Sequence, residues 1–219
     1  MHHPVIVGQA SSTLTVAKVV CVGRNYAEHV RELNNPMPSA PLLFLKPATA
    51  VVPLAPAFSL IRDVGEVHHE LELALLIGAP LTRASEAECL DAVIGVGLAL
   101  DLTLRTVQDT LKRNGQPWDI AKGFDGACPV SAFMPVDGLT ADFRTQFTLH
   151  RNDQLQQAGD TQDMLFPIGT LLATMSQYFT LSPGDIILTG TPSGVGPIVA
   201  GDRLRLQLAD GDAINTVAL

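Results

Sequence analysis

Cysteine is scarce in this chain. Cys21, Cys89 and Cys128 are the only three in 219 residues. They are odd in number, far apart and contain no C-x-x-C pair, which excludes a disulfide framework and leaves reduced, buried thiols as the plain reading. Positive charge is also in short supply, with 14 Lys and Arg against 22 Asp and Glu, a net charge of −8 and no basic block. A nucleic-acid surface needs clustered Lys and Arg to neutralise phosphates, so that class is excluded. A small anionic substrate is not, because a bound metal and a few local cations decide that matter. Long apolar runs are missing too: the nearest approach, Ala92 to Leu104, is interrupted by Asp101, so no membrane span is expected. Met1-His2-His3-Pro4 lacks a basic region followed by an apolar core, so no signal peptide is expected either, and the expected location is cytoplasmic. No internal repeat, low-complexity tract or long linker divides the chain.

What is present is enough for a substantial core. Hydrophobic residues make up 47% of the sequence, within the globular range. The length suggests one large domain with a small appendage, here an N-terminal arm over residues 1–18, with Val5–Val7 and Leu14–Val16 as short strands, and a single domain over 19–219. Val19–Val22, Leu42–Leu45, Val93–Leu100 and Ile186–Leu188 are short apolar runs that read as buried strands. Val51–Leu60, broken by prolines, should be extended and irregular. Phe147, Leu149 and Arg151 lead into Asn152-Asp153, a hairpin turn. Leu204, Leu206 and Leu208 alternate before Asp210-Gly211, a turn into a final strand. Helices are expected over Ala27–Leu33, from Ser85 with a capping box to Glu88, over Leu102–Arg113 and over Gly169–Tyr178. Many short strands with few helices predict a β-rich α+β domain.

The chemistry gathers around His68-His69-Glu70-Leu71-Glu72-Leu73. On a strand the side chains repeat with period two, so Glu70 and Glu72 share one face while Leu71 and Leu73 pack on the other. Two like charges held side by side repel, and burial makes the repulsion worse unless a cation sits between them. A hard divalent ion with oxygen ligands suits the pair; a solvated strand face that happens to carry two Glu is the alternative. Asp101 ends an apolar run and is either a third carboxylate for the same ion or the N-cap of the helix that follows. His29 and Glu32, three apart on a helix, form a candidate acid–base pair or an ordinary surface pair. Arg105, Gln108 and Asp109 share a helical face by spacing, and Lys122, Arg105 and Gln108 are candidates to bind a carboxylate. The glycine-rich Thr189–Gly196 lacks the G-x-x-x-x-G-K pattern of a phosphate loop and reads as a turn between strands.

Taken in order, Gly23-Arg24-Asn25-Tyr26 with His29 and Glu32, Phe44-Leu45-Lys46-Pro47, the acidic strand, Ala99-Leu100-Asp101-Leu102-Thr103, Val107-Gln108-Asp109, Gln116-Pro117-Trp118, Ala121-Lys122, Cys128-Pro129-Val130-Ser131 and Leu188-Thr189-Gly190-Thr191-Pro192 closely resemble the fumarylacetoacetate hydrolase family. The small single-domain acylpyruvase branch, also known for oxaloacetate decarboxylase activity, is the nearest match, over roughly residues 19–217. The resemblance implies a mixed β-roll with a few peripheral helices, a homodimer and one Mg²⁺ or Mn²⁺ per subunit on Glu70, Glu72 and Asp101. It implies a catalytic dyad of His29 and Glu32 on a short lid helix, with Lys122 and Gln108 beside the metal-bound oxygens. Arg105, Thr191 and Lys46 then stand as substrate contacts. The expected activity is hydrolytic C–C cleavage of a 3-acylpyruvate, with a His29-activated water and a pyruvate enolate leaving group. Oxaloacetate decarboxylation and oxaloacetate keto–enol tautomerisation use the same enolate and are the alternatives. A metal-stabilised scaffold or binding protein without activity is the third.

Overall fold

The computed structural model describes residues 4–8, 10–209 and 211–219. The Met1–His3 segment and Asp210, on which the signal-peptide reading and half of the last turn rest, lie outside the described residues. Four sheets account for the strands described. The largest has eight strands in the order Leu42–Pro47, Lys18–Gly23, Ile186–Leu188, Leu71–Ile77, Val93–Leu100, Cys128–Val130 and Val51–Pro53, with Met134–Pro135 also pairing Val93–Leu100. Ile186–Leu188 runs parallel to Lys18–Gly23 and antiparallel to Leu71–Ile77, so the sheet is mixed. A five-stranded sheet runs Gln154–Asp160, Gln146–Arg151, Arg203–Leu208, Ile214–Ala218 and Ala57–Phe58. Thr103–Leu104, Val67–His69 and Gly196–Pro197 form a small third sheet, and Pro4–Val7 pairs with Ala10–Thr15. The expected strand-rich α+β architecture is the one observed, and no helix among the described residues is long and apolar enough to cross a membrane.

The alternation of the Leu71–Ile77 strand sets the layers. Leu71, Leu73, Leu75 and Ile77 enter one apolar cluster with Phe147, Leu149, Leu204 and Leu206 of the five-stranded sheet. Ala74 and Leu76 point to a second cluster with Cys21, Ala99, Cys128 and Leu188. Every residue of the strand is buried, as expected for a strand covered on both faces. The three cysteines are free and buried. Burial pushes Cys128 up to about 12 and raises Cys21 and Cys89 as well, which makes these thiols poor nucleophiles.

Among the described residues five α-helices lie around the sheets: α1 (Ala27–Glu32), α2 (Glu86–Asp91), α3 (Arg105–Arg113), α4 (Asp119–Lys122) and α5 (Ile168–Tyr178). The capping box at Ser85 and Glu88 is present in both directions. Asn152 and Asp153 adopt φ of 50° and 66°, both left-handed, the conformation a two-residue hairpin turn requires. Helix α3 is shorter than the spacing suggested. It begins at Arg105, because Thr103–Leu104 is drawn into a ladder with Val67–His68. Asp101 therefore caps no helix. Asp109 does not share the inward face of α3 either: its side chain is exposed, and Arg105, Gln108 and Leu111 are the buried residues.

One buried amide ties the glycine-rich loop to the start of α1. Asn25 is fully buried; its Nδ2 donates to the carbonyls of Thr189 at 2.8 Å and Phe166 at 3.2 Å, and its Oδ1 accepts from Phe166 N–H at 2.8 Å. Asn25→Ala strands these backbone groups without partners, each costing about 1–3 kcal/mol. Chemical denaturation should show a loss of at least about 2 kcal/mol on that basis; a loss within the ordinary surface range of about 0.5 kcal/mol would contradict the role.

Candidate metal centre and active site

Strand register assembles the acidic cluster. Leu71 pairs with Leu100 and Glu72 with Ala99, and the Asp101 N–H donates to the Glu70 carbonyl at 2.8 Å. Glu70 and Asp101 are thus cross-strand neighbours, with Glu72 two positions along on the face shared with Ala74. Carboxylate oxygens of all three lie within 4.8 Å of one another, and all three residues are buried. Like charges in such positions destabilise a sheet unless they are neutralised.

Three cations supply part of that neutralisation. Lys122 Nζ on α4 sits 2.8 Å from Glu70 Oε2 and 2.6 Å from Asp101 Oδ2. Arg105 at the start of α3 pairs with Glu70 Oε1. Lys46 Nζ is 2.7 Å from Asp101 Oδ1. Burial pushes Glu70 up, but Lys122 and Arg105 together outweigh it and hold the carboxyl well below its usual range. Burial likewise pushes Lys122 down, but Asp101 and Glu70 outweigh it and raise the ammonium, which stays charged.

Glu72 is the exception. Among the described residues no Lys or Arg nitrogen pairs with it; its Oε2 accepts the Gly190 N–H at 2.6 Å. Burial, then Asp101 and Glu70, push its carboxyl well above the usual range. A site with three converging buried carboxylates and one left uncompensated suits a hard divalent cation, which brings the missing charge and takes oxygen ligands.

His29 and Glu32 meet as expected. His29 Nδ1 is 3.1 Å from Glu32 Oε2, and Glu32 Oε1 accepts the Gly194 N–H at 2.9 Å. The dyad helix is therefore docked on the glycine-rich loop through the same carboxylate that orients the imidazole. With Nδ1–H given to Glu32, the lone pair of Nε2 is available for base chemistry; the tautomer follows from that bond. His29, Glu70, Glu72, Asp101, Arg105, Gln108, Lys122 and Thr191 all line one small polar cavity. Gln108 Oε1 accepts from Arg105 at 2.8 Å, which leaves the amide NH₂ as the free end.

The geometry places the two expected substrate contacts Lys46 and Thr191 differently. Lys46 is fully buried and does not line the cavity. Its Nζ is consumed by the carbonyls of Leu102, Lys122 and Ala127 and by Asp101, so it supports the cluster from behind. Thr191 does line the cavity, but its hydroxyl proton goes to the Leu71 carbonyl at 2.8 Å, and its oxygen accepts from Gln157 Nε2 at 2.8 Å. In this arrangement its hydroxyl proton is directed to the backbone and not into the cavity.

Gln157 was not foreseen. It is fully buried on the five-stranded sheet, accepts from His69 Nδ1 and Leu71 N–H, and donates to Thr191 and Pro192. It lies on a strand with mixed polar residues, and nothing in its local sequence distinguishes it. Burial lowers His69 despite that bond, which keeps the ring neutral. Lys112 was also missed. It lines the cavity and follows Arg105 and Gln108 by seven and four positions, a helical spacing that could have found it.

Fold and cavity together describe a polar pocket whose three converging carboxylates suit a divalent metal. The chain belongs to the fumarylacetoacetate hydrolase family: the family's C-terminal domain model, Fumarylacetoacetate (FAA) hydrolase C-terminal, matches residues 18–218. The oxaloacetate tautomerase YcgM of Escherichia coli is 48% identical over 205 residues, 93% of each chain. The mitochondrial oxaloacetate tautomerase FAHD1 of Bos taurus is 46% identical, covering 85% of each chain. A fumarylacetoacetate isomerase/hydrolase-type structure from Oleispira antarctica superposes with a TM-score of 0.96 at 50% identity, over 99% of this chain and 100% of that one. A fumarylpyruvate hydrolase from Pseudomonas aeruginosa, solved with Mn²⁺ and pyruvate, superposes with a TM-score of 0.92 at 29% identity, over 100% of this chain and 96% of that one. These relatives overturn the expected acylpyruvate hydrolysis. At 46–48% identity the named activity is oxaloacetate tautomerisation, while the fumarylpyruvate hydrolase stands at 29%. The motifs did not separate the two activities, because relatives named for each share the family fold.

The uncompensated charge on Glu72 has a measurable consequence in metal-free protein. Its folded pKa lies above the unfolded value of about 4.3, so the folded state holds the extra proton between the two values. Its contribution to stability is therefore lost as pH rises through that window. Gln cannot ionise but can still accept from Gly190. Apo Glu72→Gln should melt at or above the apo wild type, with a gap that widens as pH rises from about 4.3. A large loss of apo melting temperature at neutral pH would mean that Glu72 holds the fold together.

Proposed function

We propose that this chain is an oxaloacetate keto–enol tautomerase working with Mg²⁺ or Mn²⁺ on Glu70, Glu72 and Asp101. When bound, the cation supplies Lewis acidity that steadies the negative charge of the enolate. His29 Nε2, oriented by Glu32, takes a proton from C3 of the keto form. The Lys122 ammonium and the Gln108 amide donate to the C2 oxygen as charge grows there. The imidazolium then delivers the proton to that oxygen, giving the enol; the reverse order returns the keto form. One proton moves between two atoms of one substrate, and no attacking water is needed.

The observation that carries the reading is the His29–Glu32 pair beside the acidic cluster in one small polar cavity, in a chain 48% identical to an oxaloacetate tautomerase. Freshly dissolved enol oxaloacetate, followed by its ultraviolet absorbance, should decay faster with protein and Mg²⁺ or Mn²⁺, and chelator should remove the acceleration. His29→Ala should slow the catalysed step by about 10²–10⁴-fold, the usual share of general acid–base catalysis. Asp101→Asn should slow it at least as much. Pyruvate is measured in parallel. Enol decay no faster than without protein, or pyruvate released as fast as enol is lost, would overturn the proposal.

A further inference from the structure

A four-carbon 2-oxo diacid presents two carboxylates. In the reading above, one end of the substrate lies by the acidic cluster, and the carboxylate at the far end needs its own partner. Three nearby cations are held at the acidic cluster: Arg105 by Glu70, Lys122 by Glu70 and Asp101, and Lys46 by Asp101. Two others line the same cavity without a committed carboxylate. Arg24 donates through Nη2 to the neutral amide oxygen of Asn35 at 2.9 Å. Lys112 has only Asp109 Oδ1 at 3.8 Å, on a side chain 53% exposed, and an exposed pair of that kind is worth little.

Both are held in place by local structure. Lys112 Nζ lies over the Trp118 ring, 5.6 Å from its centroid, with its own side chain only 23% exposed. Arg24 has φ of 64°, a left-handed conformation that a non-glycine residue adopts at a cost. Such strain is retained where the side chain is needed. Burial, then the Arg105 and Arg24 charges, lower Lys112 despite Asp109 and Glu70, in keeping with a cation-rich corner of the cavity.

We propose that Lys112 and Arg24 form the subsite for the substrate's distal carboxylate and set the preference for dicarboxylates over monocarboxylates. This assignment rests on the tautomerase reading for the substrate, but the subsite itself is defined by charge. Asn35, which also lines the cavity, positions the Arg24 guanidinium through its amide oxygen.

The test is calorimetric binding of two unreactive 2-hydroxy acids to Mg²⁺-loaded protein: malate, which carries the distal carboxylate, and 2-hydroxybutyrate, which does not. A charge-assisted hydrogen bond corresponds to about 10–100-fold in affinity. Wild type should therefore favour malate by about 10-fold or more. Lys112→Gln and Arg24→Gln should each pull the malate to 2-hydroxybutyrate ratio towards one, and Lys112→Arg should keep most of it. A KM for oxaloacetate that rises with little change in kcat in both Gln variants would agree. Equal binding of the two acids by wild type, or an unchanged ratio in both Gln variants, would overturn the subsite. A wild type that favours malate yet leaves enol decay unaccelerated would refute the tautomerase reading and uphold the anion subsite.

Discussion

Three carboxylates forced together by strand register are the constraint on which the rest of the site depends. The pairing of Leu71 with Leu100 and Glu72 with Ala99 fixes the Leu71–Ile77 and Val93–Leu100 strands, and a one-residue slip would turn every acid to the opposite face. The apolar sides of those strands hold the register, because Leu71, Leu73, Leu98 and Leu100 are all fully buried in one cluster. Core packing thus maintains an arrangement that electrostatics alone would disperse. Lys122, Arg105 and Lys46 relieve Glu70 and Asp101, and Glu72 keeps the unbalanced charge that a divalent cation meets.

The remaining parts of the site are attached to this centre by hydrogen bonds from the glycine-rich loop. Gly190 presents its N–H to Glu72 with φ of 99°, and a Cβ there would meet the Asn25 Cβ at 2.6 Å. Glycine is required at that position for both reasons. The same loop carries Gly194, whose N–H holds Glu32, so one turn links the carboxylate cluster to the His29–Glu32 pair. Gln157 and Asn25 fix the loop from two sides. Helix α1 is thereby tied to the acidic cluster through backbone donors of one loop.

The period-two spacing of Glu70 and Glu72, the acid at the end of Val93–Leu100 and the i, i+3 relation of His29 to Glu32 were legible because each follows from local geometry. The strand-rich architecture was legible for the same reason. What failed to show were features made by tertiary pairing. The small ladder of Thr103–Leu104 with Val67–His68 delays α3 by three residues and removes Asp101 from any capping role. Lys46 carries a charge that sequence reading assigns to a surface or a ligand, whereas its burial rests on three carbonyls contributed by distant segments. Gln157 is separated by more than 80 residues from His69 and Leu71, the groups it joins. Reaction choice was the least legible, since relatives named as tautomerases and as hydrolases share this fold.

Anomalous diffraction from crystals equilibrated with Mn²⁺ tests the central claim most directly. The account predicts a peak bounded by Glu70, Glu72 and Asp101, with an oxygen from each at about 2.1 Å, the range of octahedral oxygen coordination by a small divalent ion. It predicts loss of that peak in Asp101→Asn crystals under the same conditions. No peak between these carboxylates at saturating Mn²⁺, or a peak that persists at full height after Asp101→Asn, would contradict it.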